Sequence, residues 1–109
     1  MRDIVITGEG VICAIGLDKP SVLASLKSKQ TGIGTMKHLC SSHKELPVGE
    51  VPLSNDDMRN MLGLTELGFI NRTTLMGMLA VRQALEDAGI NSEIIKKRSK
   101  NCRWKLKIF

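Results

Sequence analysis

With 109 residues, 42% of them apolar and 25% charged, the chain has the make-up of one modest globular domain; two domains and a disordered chain are both excluded. Aromatic residues are only 3% and tyrosine is absent, so the core has to be built from Leu, Ile, Val, Met and Ala. The net charge of +5 is not spread over the chain: residues 1–95 hold nine Lys or Arg against all eleven acids, and residues 96–109 hold seven Lys or Arg and no acid. That separation argues against a nucleic-acid-binding body and confines the basic excess to a tail, expected to be solvated and open.

The β-branched run Ile4–Val5–Ile6 predicts a buried strand. Glycines 8 and 10, ahead of Val11–Ile12, point to a bulge or to the close approach of another backbone. This short run is not a secretory signal, and no segment reaches the roughly 18 apolar residues of a membrane span. A soluble cytoplasmic protein is therefore expected, with Cys13, Cys40 and Cys102 as reduced thiols rather than a disulfide framework.

Gly16, Asp18 and Pro20 mark a loop. Pro20 suits a first helical turn, and Val22, Leu23 and Leu26 carry helical spacing to about Lys29, where Thr31–Gly32–Ile33–Gly34 ends it. Residues 35–55 are poorly periodic, punctuated by Pro47 and Pro52, with Val48–Gly49–Glu50–Val51 as a short strand or edge. Ser54 or Asn55, followed by Asp56 and Asp57, starts a short helix through Met61.

The strongest periodicity lies between Glu66 and Ala88. Leu75, Met78, Leu79, Leu85 and Ala88 form one apolar face, and Thr73, Gly77, Ala80, Ala84 and Ala88 form a narrow stripe of small residues that admits a close neighbour. Gly89 serves as a left-handed stop, although Glu86 and Asp87 oppose the helix dipole. Asn91 caps a further short helix through Ile95, after which the basic stretch brings in Trp104 and Phe109. One clear strand followed mainly by helices indicates an α/β arrangement, and a single strand cannot make a sheet, so the arrangement is partial.

Four features invite a chemical reading. Gly8-Glu9-Gly10 after a strand suggests a dinucleotide fingerprint, but Cys13 stands where its third glycine belongs and Pro20 delays the helix that would face a pyrophosphate. His38, Cys40 and His43 are close enough to share a metal, yet no fourth ligand completes a zinc spacing, and a polar loop is the plainer reading. Cys13 would need a helix N-terminus or an imidazole to become a nucleophile; flanked by Ile12, Ala14 and Ile15, it reads instead as a small hydrophobe. Met76 and Met78 could line a partner surface, but their helix is apolar on more than one side and core packing is favoured. No catalytic, cofactor-binding or metal-binding residue and no cofactor is assigned.

Three segments in order resemble the β-ketoacyl-(acyl carrier protein) synthases, condensing enzymes of the thiolase superfamily. Val5-Ile6-Thr7-Gly8-Glu9-Gly10-Val11-Ile12-Cys13-Ala14-Ile15-Gly16 looks like the family's opening strand and turn. Leu26-Lys27 and Thr31-Gly32-Ile33-Gly34 follow at the expected interval, and Ala80-Val81-Arg82-Gln83-Ala84-Leu85-Glu86-Asp87-Ala88-Gly89-Ile90 is similar to its "A..EAL.DAGI" helix. The resemblance covers about residues 2–92 and implies the N-terminal portion of a thiolase-like fold, with residues 93–109 as a divergent basic tail. The family would continue into a second core strand and a glycine-rich turn; the abrupt change of composition is compatible with a frameshift or premature stop.

By resemblance, the complete enzyme condenses an acyl thioester with malonyl-(acyl carrier protein) and releases carbon dioxide. A cysteine at a helix N-terminus and two histidines perform that chemistry. None of them falls on this stretch, Cys13, His38 and His43 included. The expectation is a truncated acyltransferase of fatty-acid or polyketide synthesis, inactive by itself. The resemblance implies acyl carrier protein and acyl thioesters as partners of the parent enzyme, a homodimer, with neither membrane nor nucleic acid involved. The alternative is a non-enzymatic fragment that pairs with a full-length synthase through its unpaired strand edge and apolar helix. A third, weaker reading has Trp104 between Arg103 and Lys105 stack on a nucleic-acid base.

Overall fold

The computed structural model describes residues 2–64, 68–91 and 93–94. Its elements are, in order, α1 (Lys19–Lys27), β1 (Ile33–Gly34), β2 (Val48–Gly49), α2 (Asn55–Leu62) and α3 (Arg72–Asp87).

Local chemistry explains where each helix starts and stops. Asp18 accepts the Ser21 N–H at 2.8 Å, and the Ser21 hydroxyl accepts the Asp18 N–H at 3.2 Å, a reciprocal cap that starts α1 with Pro20 in its first turn. Helix α1 ends at Ser28, and Lys29 turns left-handed (φ 55°), so the break comes just ahead of the glycine pair expected to cause it. Ser54 and Asp57 cap α2 in the same reciprocal way, and Gly63 (φ 67°) closes it.

For α3 the cap is Asn71, whose side chain accepts the Thr74 N–H at 2.8 Å. The helix therefore begins at Arg72, later than the periodicity from Glu66 suggested; Glu66 itself lies outside the described residues. Gly89 (φ 67°) follows its last turn, as expected. Asn91 accepts the Ile94 N–H at 3.1 Å, the start of the short helix read there; its end at Ile95 lies outside the described residues.

Strands β1 and β2 pair antiparallel, Ile33 opposite Gly49 and Gly34 opposite Val48. The strand expected over Val48–Val51 is thus confined to its first half. Val51 is instead buried, its carbonyl accepting from Arg72 at 2.8 Å and from the Leu53 N–H.

The core lies where α2 meets α3. Met58 and Leu75 are fully buried and Leu79 nearly so, with Ile12, Leu53, Leu62, Leu64, Ile70 and Met76 packed around them. Each fully buried side chain contributes about 1.5–3 kcal/mol. Met58 and Leu75 come from different helices, so neither helix hides its apolar face without the other.

The N-terminal run corrects the sequence reading. Ile4, Val5 and Ile6 form no strand and are 100%, 71% and 84% exposed. A strand requires a neighbour to take its alternate N–H and carbonyl groups, and no other segment of the described residues runs beside these three. The glycines after them behave as expected. A Cβ on Gly8 would lie 2.7 Å from the Ala88 Cβ, and one on Gly10 would lie 2.8 Å from the Ala84 N and overlap the Ala80 carbonyl. The bare backbone of residues 8–10 therefore lies directly on the Ala80–Ala84–Ala88 stripe of α3, the close approach that both the glycines and the small residues suggested.

Candidate functional site

The junction of the glycine segment with α3 and α1 holds a polar network of long sequence range. Glu9 donates its N–H to the Asp87 carboxylate at 2.9 Å, and Val11 donates to the Gln83 side-chain oxygen at 3.1 Å. The Gln83 amide nitrogen reaches on to the Leu17 carbonyl, so one side chain bridges the segments before and after the turn. Lys19 lies 3.2 Å from Asp87 and 3.3 Å from Glu9.

The Glu9 N–H, then Lys19, hold the Asp87 carboxyl below its ordinary range, and Asp87, then Glu9, raise the Lys19 ammonium. These groups are half exposed, so the ion pairs orient the segment more than they stabilise it. Asp87, poorly placed for its own helix dipole, is thereby explained: it serves a neighbouring backbone. Glu86 pairs instead with Arg82 one turn earlier, at 3.1 Å.

Cys13 sits in the tight turn that follows. Cys13 and Gly16 exchange backbone hydrogen bonds of 2.9 and 3.3 Å, and the buried Ser25 hydroxyl donates to the Ile15 carbonyl at 2.6 Å, tying the turn to α1. The Cys13 thiol is half-buried. The first-turn donor of α1 that would attract a thiolate or a phosphate, the Ser21 N–H, is already bonded to Asp18. The Glu9 and Val11 N–H groups, which a pyrophosphate would need, are engaged by α3. The glycine segment is thus arranged to dock its bare backbone on a helix.

His38, Cys40 and His43 lie exposed in the loop between β1 and β2. His43 pairs with Glu45 at 3.2 Å, and no group of three or more His, Cys, Asp or Glu able to hold a metal occurs among the described residues. Met76 packs against the core cluster and Met78 is half-buried. Cys102, Trp104 and the basic run from Lys96 lie outside the described residues. No helix among the described residues is long and apolar enough to cross a membrane.

A second polar feature borders that loop. A cleft of about 410 Å³ is lined in part by Ala14, Gly32, Thr35, Lys37, His38 and Glu50. The Glu50 carboxylate accepts three successive backbone N–H groups, from Lys37 and His38 at 2.9 Å each and from Leu39 at 2.6 Å. Burial works to raise the Glu50 carboxyl, but the three backbone donors outweigh it and hold it below its ordinary range.

Three polar residues with organising roles escaped the sequence reading: Gln83, Glu50 and Arg72. Arg72 donates to the Val51 and Leu53 carbonyls at 2.8 Å each and fixes the chain entering α2. The one available signal was a polar residue set among apolar ones on α3, which Gln83 satisfies and Arg72, between Asn71 and Thr73, does not.

Comparison with known proteins agrees with the segment order. The N-terminal domain of beta-ketoacyl synthase matches residues 1–103. The 3-oxoacyl-[acyl-carrier-protein] synthase 1 of Buchnera aphidicola subsp. Baizongia pistaciae is 33% identical over 95 residues, 86% of this chain and 23% of that protein. The proteins of the same name from Escherichia coli K12 and Haemophilus influenzae are each 32% identical over 94 residues, 85% of this chain and 22% of theirs. The chain thus spans less than a quarter of the length of these relatives. No solved structure matches it. With glycine turn, small-residue helix and family match falling on the same residues, the chain belongs to the beta-ketoacyl synthase family, within its N-terminal domain.

Proposed function

We propose that this chain is the opening piece of a condensing enzyme that joins an acyl thioester to malonyl-(acyl carrier protein) with loss of carbon dioxide, and that it does not carry out the reaction alone. The family match over residues 1–103, set against coverage of less than a quarter of the relatives, carries this reading. In that enzyme the segment supplies the first strand and a helix of a thiolase-like body, holding the glycine turn on α3. Acyl carrier protein and acyl thioesters are partners of the whole cytoplasmic enzyme, which works as a homodimer. The boundary at residue 92 is where the resemblance ends, ahead of the change in charge at residue 96, whereas the family match continues to residue 103.

Chemistry supports the inactivity. Decarboxylative condensation needs a thiolate to take the acyl group and donors for the thioester oxygen. Cys13 is half-buried in a closed turn, and the nearby donors at Glu9, Val11 and Ser21 are each occupied. The purified chain, incubated with acyl- and malonyl-carrier protein, is expected to release no carbon dioxide above background and to show no acyl adduct at Cys13 by intact-mass spectrometry. Steady condensation by the chain alone would overturn the proposal.

A further inference from the structure

The loop joining β1 to β2, residues 35–47, carries exposed Leu39 and Leu46 together with His38, Cys40 and His43, and has no regular structure. Its ends are held by the two pairs of the β1–β2 ladder. Between those ends, three adjacent N–H groups converge on one carboxylate, Glu50, one residue beyond β2. Successive N–H groups turned inward make an anion-binding nest, and here the anion belongs to the chain itself. We propose that Glu50 is a latch holding the 35–47 loop as a flap beside the cleft, so that loss of its charge frees the loop while α2 and α3 stay folded.

The geometry separates the latch from the core. Glu50 reaches the loop at 2.6–2.9 Å, whereas the α2–α3 core rests on Met58, Leu75 and Leu79, none of which lines the cleft. Charge-assisted bonds to backbone N–H are stronger than neutral ones, and Glu50 adds three of them to a ladder of only two residue pairs. The ionisable groups beside Glu50 are Lys37 and His38, both lining the cleft with it, and His38 also neighbours the Asp57 carboxylate at the start of α2. Glu50 is the carboxylate to which all three N–H groups of the nest are bonded.

Two measurements on the full chain test the latch. In the unaltered chain, the Glu50 carboxyl carbon and the amide protons of Lys37, His38 and Leu39 are followed by nuclear magnetic resonance during acid titration. All four are expected to move with one midpoint, below the ordinary glutamate value of 4.5. Separate midpoints overturn the proposal. In Glu50→Ala, amides 37–39 are expected to exchange about tenfold faster while those of α3 are unchanged. Unchanged exchange at 37–39, or equal acceleration in α3, overturns it.

Discussion

The α2–α3 corner and the N-terminal segment use the same kind of residue to opposite ends. In the corner, apolar side chains from two capped helices close over one another and Met58 and Leu75 lose all contact with solvent. In the segment, Gly8 and Gly10 lie directly on α3, while Ile4, earlier in the same segment, is fully exposed. Fit on one side does not bury a strand. A helix covers its apolar stripe by meeting one partner, whereas a strand also needs neighbours for its backbone groups.

Truncating the corner should have the largest effect. Leu75→Ala is expected to cost about 2–5 kcal/mol, through lost transfer energy and the cavity left against Met58, seen as a lower urea midpoint by circular dichroism. Ile4→Thr is the matched control on the exposed run and should shift stability by no more than about 0.5 kcal/mol. Equal losses in the two variants would mean that the segment is as buried as the corner.

The next effect should fall on the docking contact. In Gly10→Val the new side chain meets Ala80 and Ala84 backbone, which cannot swing aside, so the segment has to lift from α3. The cost is expected to be about 1–3 kcal/mol, with amides Glu9 and Val11 losing exchange protection before those of α2. Loss of protection in α2 first would show that the two regions are not separable.

Much of this was legible in the sequence because it is local. Pro20, Ser54 and Gly89 declare helix ends through geometry and bonds that reach only a few residues, whereas Asp18, read only as a loop residue, proved to be the cap of α1. The glycine pair and the Ala80–Ala84–Ala88 stripe declared a close approach, though not that each was the other's partner. Ile4–Ile6 misled because a β-branched run states a preference for a covered sheet and says nothing of whether the cover lies within the chain. Gln83, Arg72 and Glu50 stayed hidden because their partners are backbone groups far along the chain, and any polar residue looks the same until the chain has folded back on it.

Cap removal is a smaller, sharper probe of the corner. Ser54→Ala and Asn71→Ala should each cost about 1 kcal/mol, and the glycine variants only a few tenths, since glycine frees the N-terminal donors to water. Both losses should appear in the melting of α2 and α3, leaving the Glu9 and Val11 amides as protected as before relative to global opening. A cap variant that releases those two amides selectively would place the segment's anchorage in the start of the helices rather than in the Ala80–Ala84–Ala88 stripe.

The smallest expected effect is a pH dependence that distinguishes the two regions. Asp87 is held below the ordinary aspartate value of 3.8 by the Glu9 N–H and then Lys19, and Asp57 below the same value by Ser54. A carboxylate whose folded value is depressed adds stability that is fully present above its unfolded value and is lost as the pH falls through the folded one. Acid below about pH 3.8 should therefore loosen both contacts, Asp87 releasing the Glu9 amide and Asp57 fraying the start of α2. Asp87→Asn separates them: its amide oxygen can still accept from Glu9, but the attraction to Lys19 is gone, so the Glu9 amide should lose its acid limb while α2 keeps its own. Salt at about 0.5 M should weaken only the Lys19 contribution, because screening acts on exposed charge pairs and leaves a direct N–H bond in place. An acid limb at Glu9 that survives Asp87→Asn would mean the segment is held on α3 by another titrating group, and the packing of Gly8 and Gly10 would then be its consequence rather than its cause.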